Sequence, residues 1–186
     1  MPIETIRRVV LACLMAALTA VGSYLSVPIG PVPIVLTNLF VLLSGLLLGG
    51  GWGLGSVGIY LLLGVMGFPV FAGAKGGLAH VLGPTGGYLL GYALSAWIAG
   101  LISERGHRRL LWDIPAVFLG CLAIYLPGIP WLKGVTGVSW SKALMIGFFP
   151  FVIGDVVKAS VALFLARAVR PVLDRQFQSF PVRGRG

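Results

Sequence analysis

The chain has 186 residues, of which 58% are hydrophobic and only 10% are charged, and its mean hydropathy is +0.99. A water-soluble domain carries about 25% charged residues, so this composition excludes a soluble fold and indicates a single integral membrane domain over 1–186. The net charge is +9. Because the basic residues lie in short segments between and beyond apolar runs, we expect them to face membrane lipid and not nucleic acid.

Six apolar runs follow one another along the chain. A bilayer crossing needs about 20 apolar residues, somewhat fewer in a short helix. No charged residue occurs between Val9 and Ala74, and prolines at 26–33 and glycines at 49–53 divide this stretch into three crossings. The predicted spans are about 8–26, 34–49, 52–67, 83–103, 112–132 and 143–168, followed by a basic tail at 169–186. The prolines of "LPGIP" (126–130) leave open a break in the fifth span.

The segment 67–82 is rich in glycine yet apolar, which is unusual for a solvated loop. We predict a structured loop that packs back over the helices. Phe71 within it is either an ordinary interface aromatic or part of a hydrophobic lid over a pocket. His80 is expected to be a surface or packing residue, because no second histidine, cysteine or carboxylate nearby suggests a metal site.

Orientation follows from the basic residues, which concentrate on the cytoplasmic side of membrane proteins. All ten arginines fall on one side of the six predicted spans, whereas Lys75, Lys133 and Lys142 fall on the other. Both termini and the turn at 103–109 are therefore predicted to be cytoplasmic. The glycine-rich loop is predicted to face outside.

Two motifs of small residues each admit two interpretations. Ala12, Ala16 and Ala20 recur every four residues and line one helix face, either for contact within this chain or for docking of a partner membrane subunit. The stretch "GPTGGYLLGY" (83–92) opens the fourth span. It is either an interfacial tyrosine belt with glycine packing, or the wall of a small-molecule pocket. The candidate wall residues are Thr85, Gly86, Gly87 and Tyr88.

Asp155 and Lys158 lie inside the sixth span, three residues apart and so on one helix face. A charged side chain at the centre of a span costs about 2.5–3.5 kcal/mol on insertion scales. One hypothesis is a mutual ion pair that only plugs the bundle. The favoured hypothesis is a ligand site, because ionisable groups within a membrane usually face the bundle interior and take part in substrate or proton movement.

Catalysis is not predicted. The chain has five acidic residues, of which all but Asp155 lie near predicted membrane borders or in tails. No nucleophile–base constellation and no phosphate loop of the form GxxxxGK[ST] is present. No cofactor is expected either.

The segments "VLLSGLLLG", "YLLLGVMGFPVFAGAKGG", "LGPTGGYLLGY" and "GDVVKAS", in this order and spacing, resemble the BioY family. BioY proteins are the biotin-binding S components of energy-coupling factor (ECF) vitamin transporters. The resemblance covers roughly 8–168 and implies an all-α S-component fold of six membrane helices. It also implies capture of biotin from outside, with uptake driven by a transmembrane coupling subunit and two ATPase subunits. The alanine ridge of the first span is similar to the S-component face that meets the coupling subunit.

The resemblance also suggests how the ligand is held. Asp155 would accept from a ureido N–H and Lys158 would donate to the ureido carbonyl, although the reverse pose, with Lys158 on the carboxylate, stays open. Where many relatives carry a Gln-Thr pair, this chain has Thr37 and Asn38. Both are still hydrogen-bonding residues, so a polar contact is expected there. Lys75 would steer or bind the carboxylate, or is a solvated loop charge. An S component for another vitamin is the alternative function.

Overall fold

The computed structural model describes residues 3–28 and 31–178, of which most are helical. Eight helices and two short strands are present in this part of the chain. In chain order they are α1 (Ile3–Tyr24), β1 (Ser26–Val27), β2 (Ile34–Val35), α2 (Thr37–Leu48), α3 (Gly50–Val65), α4 (Leu78–Val81), α5 (Gly86–Arg105), α6 (Leu110–Thr136), α7 (Trp140–Gly147) and α8 (Phe149–Gln178).

The architecture is an all-α bundle of six apolar segments. Helices α1, α5 and α6 and the continuous stretch Trp140–Leu173, which contains α7 and most of α8, are long and apolar enough to cross a membrane. The two remaining apolar helices, α2 and α3, are shorter. The predicted fold class is confirmed. The sixth predicted span differs in detail, since a break at Phe148 divides it into α7 and α8.

Helix α6 does not break at 126–130, although Pro127 and Pro130 lie within it. The Tyr88 ring of α5 packs so closely here that a Cβ on Gly128 would lie 2.7 Å from it. Packing between α5 and α6 therefore keeps the segment helical, although Pro127 and Pro130 have no backbone N–H to donate to the helix.

Glycines in the middle of the bundle allow three helices to approach within backbone contact. A Cβ on Gly45 of α2 would lie 2.4 Å from the carbonyl oxygen of Ala96 in α5. A Cβ on Gly100 of α5 would lie 2.4 Å from the carbonyl carbon of Gly49, between α2 and α3. Neither position tolerates a side chain, and this is the close packing expected where helices associate without a hydrophobic driving force.

The alanine ridge of α1 packs inside the chain. Ala12 and Ala16 are buried and Ala20 is half-buried, on the side of α1 that contacts α2 and α3. Of the two interpretations, the structure supports contact within the chain. Docking of a partner subunit at Ala12, Ala16 and Ala20 stays a prediction.

The glycine-rich segment is structured and packs back over the bundle, as predicted. Its backbone closes on itself where Phe71 N–H donates to the Lys75 carbonyl at 2.8 Å and Lys75 N–H donates in return at 3.3 Å. Two α1 side chains, Ser23 and Tyr24, donate to backbone carbonyls of this segment. After α1, β1 and β2 form an antiparallel hairpin that joins α1 to α2.

A buried ion pair ties four segments together at the end of the bundle that carries most of the arginines. Asp113, near the start of α6, is fully buried, and both of its carboxylate oxygens accept from the guanidinium of Arg170 in α8. Ser103 of α5 donates to Asp113 at 2.6 Å and accepts from Arg170 at 2.8 Å. Arg170 also donates to the carbonyls of Leu46 in α2 and of Arg108 in the α5–α6 turn. Arg170 is thus a buried structural residue, whereas the sequence pattern placed it in the basic tail.

We expect Asp113→Ala to destabilise the fold by about 3–5 kcal/mol, because it leaves a buried guanidinium without its counter-charge. The free energy of unfolding in detergent micelles would measure this. Arg167→Gln is the matched control, since Arg167 is an exposed arginine on the same helix, and its effect should stay within about 0.5 kcal/mol. Equal stability of Asp113→Ala and the unaltered protein would contradict the assigned role.

Candidate functional site

The charged pair of α8 forms as its spacing predicted. Asp155 and Lys158 are 4% and 6% exposed, and Lys158 Nζ lies 3.1 Å from Asp155 Oδ1. Two further donors come from other helices. Asn38 Nδ2 of α2 donates to the same carboxylate oxygen at 3.1 Å, and the Tyr125 hydroxyl of α6 donates to Oδ2. Three donors therefore hold one buried carboxylate, which offsets the cost of its desolvation.

Two buried oxygens beside this cluster have no hydrogen-bond partner within the described residues: Asn38 Oδ1 and Thr37 Oγ1. Buried polar atoms are almost always paired, and an exception calls for an explanation such as a bound ligand. Both residues line the same small cavity, as does Lys158. The cavity therefore offers two unpaired oxygens and an ammonium group from adjacent positions on its wall.

The cavity is enclosed by the β1–β2 hairpin and helices α2, α3, α5, α6 and α8, with the α4 segment over it. Its volume is about 40 Å³, and its remaining walls are mainly aromatic and aliphatic. The lining residues are Val32, Pro33, Val35, Thr37, Asn38, Tyr60, Ala72, His80, Thr85, Tyr88, Leu89, Tyr92, Ile124, Tyr125, Phe151 and Lys158. A site with one polar end and apolar walls suits a small ligand that is itself polar at one end.

Asp155 itself does not line the cavity. Its contacts to Asn38, Tyr125 and Lys158 place it behind the wall, where it orients three side chains that do line the cavity. The arrangement can accept a hydrogen bond at Asn38 Oδ1 and donate one from Lys158 Nζ.

The "GPTGGY" residues divide into two groups. Thr85 and Tyr88 line the cavity, and the Tyr88 hydroxyl donates to the Gly147 carbonyl at 2.8 Å, so its ring forms a fixed wall. Gly87 instead faces α6, and Gly86 lies between the Val81 carbonyl of α4 and the Trp131 ring of α6. A Cβ on Gly87 would lie 2.4 Å from Trp131 Cβ, so this glycine is required for helix packing.

Phe71 lies behind the cavity lining. It is fully buried, packs edge-on against Tyr60 with ring centroids 5.5 Å apart, and stacks on His80 at 5.3 Å. Lys75, four residues further along, is exposed and is not among the lining residues. Phe71 therefore anchors the loop under which the cavity lies.

His80 and Tyr125 are the site residues that sequence reasoning missed. His80 lines the cavity, with Nε2 3.3 Å from Thr85 Oγ1, and is not merely a surface or packing residue. Burial, together with the positive charge of Lys75, lowers its pKa, so its ring is neutral at pH 7. Tyr125 gave no signal in the sequence, because only the tertiary fold brings it to Asp155, 30 residues away.

No group of three or more metal-ligating side chains occurs at 3–28 or 31–178.

Comparison with known proteins gives consistent results. The BioY family model matches residues 1–175. A protein of Pyrococcus horikoshii named probable biotin transporter BioY is 45% identical over 164 residues, which cover 88% of this chain and 96% of that protein. The biotin transporter BioY of Thermotoga maritima is 41% identical over 160 residues, or 86% of this chain and 94% of that protein.

A solved structure has the same fold. The crystal structure at 2.1 Å of the S-component for biotin from an ECF-type ABC transporter superposes with a TM-score of 0.85 and 28% identity. The match covers 92% of this chain and 94% of the solved chain. The family model spans nearly the whole sequence, the relatives are of similar length and the fold is shared. This chain therefore belongs to the BioY family.

Proposed function

We propose that this protein captures biotin as the substrate-binding S component of an ECF-type transporter. It is a multi-pass membrane protein of a prokaryotic cell, and it is not an enzyme. The observation that carries the proposal is the cavity lined by Thr37, Asn38 and Lys158 beside tyrosine-rich walls, where Thr37 Oγ1 and Asn38 Oδ1 have no hydrogen-bond partner within the described residues. The names of the relatives and of the solved structure supply the ligand that this geometry accommodates.

Biotin matches the two ends of the cavity. Its ureido ring offers N–H donors and a carbonyl acceptor, which the unpaired Asn38 and Thr37 oxygens and the Lys158 ammonium complement. The fused rings and the aliphatic tail suit the walls formed by Tyr88, Tyr92 and their neighbours. In this pose the ureido ring lies deep in the bundle, and the tail extends toward His80 and the α4 segment.

Asp155 acts in this proposal as a positioning residue. Its carboxylate already accepts from three donors, so it holds Asn38 with the amide oxygen directed away from the carboxylate. This refines the expectation that Asp155 itself accepts a ureido N–H. Asn38 Oδ1 is the better acceptor, because it has no partner within the described residues.

Ligand entry requires the cavity to widen. Pockets for small ligands have volumes of about 300–1,000 Å³, several times the present value. Outside the helices, the described residues at 31–35 of the hairpin and the loop at 66–77 both contribute lining residues. We propose that these two segments separate to admit the ligand.

Uptake then depends on partners. A coupling subunit and two ATPase subunits would supply the energy, since no phosphate loop is present in this chain. We propose that both termini are cytoplasmic and that the α4 segment faces outside, on the basis of the arginine distribution. The loop over the cavity and the start of α5 also contribute to the proposed site. Their proposed site residues are Phe71, Thr85, Gly86 and Gly87.

We expect the double variant Asp155→Asn/Lys158→Met to fold but to lose biotin binding. Each single change strands one buried charge, whereas the double change removes both. Loss of the Lys158 hydrogen bond alone corresponds to about 10–100-fold in affinity. Titration calorimetry in detergent would measure it, with thermal unfolding as the folding control. Normal biotin affinity in the double variant would mean that the pair only plugs the bundle. If the unaltered protein binds another vitamin but not biotin, the alternative substrate is favoured.

Thr37→Val should weaken biotin binding about tenfold while leaving the stability of the unliganded fold unchanged, because its hydroxyl lacks a partner until the ligand arrives. Ser95→Ala is the matched control, since the Ser95 hydroxyl is also buried and unpaired but does not line the cavity. Affinity measurements on both variants would test this. Equal effects of the two substitutions would count against a ligand contact at Thr37.

Biotin amide separates the two possible poses. If Lys158 reads the ureido carbonyl, neutralising the distant carboxylate should cost much less affinity than Lys158→Met does. Competition binding with biotin and its amide would measure both losses. If the amide and the Lys158 substitution cost the same and their effects do not add, Lys158 pairs with the carboxylate and the pose is reversed.

A further inference from the structure

His80 and Thr85 give the cavity a polar pair that the contacts to the ureido ring do not use. His80 belongs to the four-residue helix α4, and Thr85 precedes the first residue of α5. Both side chains are half-buried, both line the cavity, and His80 Nε2 lies 3.3 Å from Thr85 Oγ1. The polar groups assigned to the ureido ring come instead from α2 and α8. A ligand that is polar at both ends therefore finds polar groups on two separate parts of the lining.

The His80 ring is held in a fixed orientation by the packing of the loop. It stacks on the Phe71 ring at an interplanar angle of 22°. Phe71 is itself fully buried and packs edge-on against Tyr60 of α3. Because stacking covers a face of the imidazole, the edge that carries the two nitrogens is the part left for polar contacts. A ring held in this way loses little side-chain freedom when a ligand binds.

The pair has a hydrogen-bond donor to spare in either tautomer of His80. If Nε2 carries the proton, it donates to Thr85 Oγ1, and the Thr85 hydroxyl donates to a ligand. If Nδ1 carries the proton, Nε2 accepts from the Thr85 hydroxyl and Nδ1–H is the remaining donor. Lys75 is the other candidate partner for an anion on this loop, but it is exposed and does not line the cavity.

We propose that His80 and Thr85 together bind the carboxylate at the end of the biotin tail, and that Lys75 does not contact it. This inference rests on the proposed biotin function and on the pose in which the ureido ring lies deep in the bundle. The pair then selects ligands whose tail ends in a free carboxylate. Phe71 acts as the positioning residue that holds the His80 ring.

The proposal makes biotin affinity depend on pH. Burial and the charge of Lys75 lower the pKa of His80 in the unliganded protein, and a bound carboxylate raises it by favouring the imidazolium. The additional affinity is therefore present below the pKa of the unliganded state and is lost as the pH rises through the pKa of the liganded state.

Histidine is the residue type that ordinarily titrates between pH 5 and 8, and His80 is the one histidine among the described residues that line the cavity. Asp155 lies behind the wall with three donors. The other titratable residues of the lining are Tyr60, Tyr88, Tyr92, Tyr125 and Lys158.

Competition binding of biotin and biotin amide to the purified full chain, at pH 8 and pH 5.5, would test the proposal. The biotin carboxylate stays mainly ionised at pH 5.5, since such a carboxyl group has a pKa near that of glutamate, about 4.3. We expect biotin affinity to rise roughly three- to tenfold from pH 8 to pH 5.5, the effect of one half-exposed, charge-assisted hydrogen bond. The affinity for the amide should not rise, because its terminal group is neutral at both pH values.

His80→Gln keeps a donor but cannot become a cation, so it should still bind biotin at pH 8 and lose the rise at pH 5.5. His107→Gln is the matched control, since His107 is the chain's other histidine and is exposed in the α5–α6 turn. It should show the same rise as the unaltered protein. Lys75→Met should bind biotin normally at pH 8.

Four results would overturn the carboxylate subsite: no rise in the unaltered protein, an equal rise for the amide, a rise that persists in His80→Gln, or a loss of affinity in Lys75→Met at pH 8. The first two need no variant, so the proposal stays testable even if His80→Gln does not fold. Absence of biotin binding by the unaltered protein at both pH values would overturn the proposed function, and this subsite with it.

Discussion

The structure depends on one constraint: a carboxylate buried among membrane helices must be surrounded by donors. Asp155 meets this constraint with donors from α2, α6 and its own helix. Satisfying the carboxylate fixes the positions of Asn38, Tyr125 and Lys158 relative to one another. The polar end of the cavity therefore exists because the buried charge has to be paired, and in the proposed function the ligand contacts the polar atoms that take no part in this pairing.

The same helix carries a further buried charge, Arg170, which pairs with Asp113 near the end of the bundle. Asp155 draws the middle of α8 to α2 and α6, and Arg170 draws its far end to α2, α5 and α6. Between these charges helix α8 is mainly apolar, and it exposes many large apolar side chains outward. In a bilayer these exposed side chains provide no drive toward the bundle, because lipid tails are as apolar as they are. The two charged contacts therefore specify where α8 lies and which face it turns inward.

The two ends of the molecule differ in how firmly they are held. Around Arg170, the contacts come from three other helices and the α5–α6 turn, and most of them are buried. Over the proposed ligand cavity, the cover consists of a hairpin of two-residue strands, a four-residue helix and a loop anchored by the buried ring of Phe71. Segments with few buried contacts open at lower free-energy cost than the core. This asymmetry suits a protein that must admit a ligand at one end while the other end keeps its shape.

The sequence by itself determined the membrane class, the six apolar segments, the structured glycine-rich loop and the facing of Asp155 toward Lys158. All of these depend on composition or on neighbours a few residues apart, where helical geometry leaves little freedom. The tertiary structure alone decided which distant groups meet these elements: Tyr125 and Asn38 at Asp155, Arg170 at Asp113, and His80 at the cavity. It also decided that the alanine ridge lies inside the chain and that Gly87 serves packing against Trp131. Such contacts join residues 30 or more positions apart, and no periodicity within one helix specifies which face of another helix will receive it.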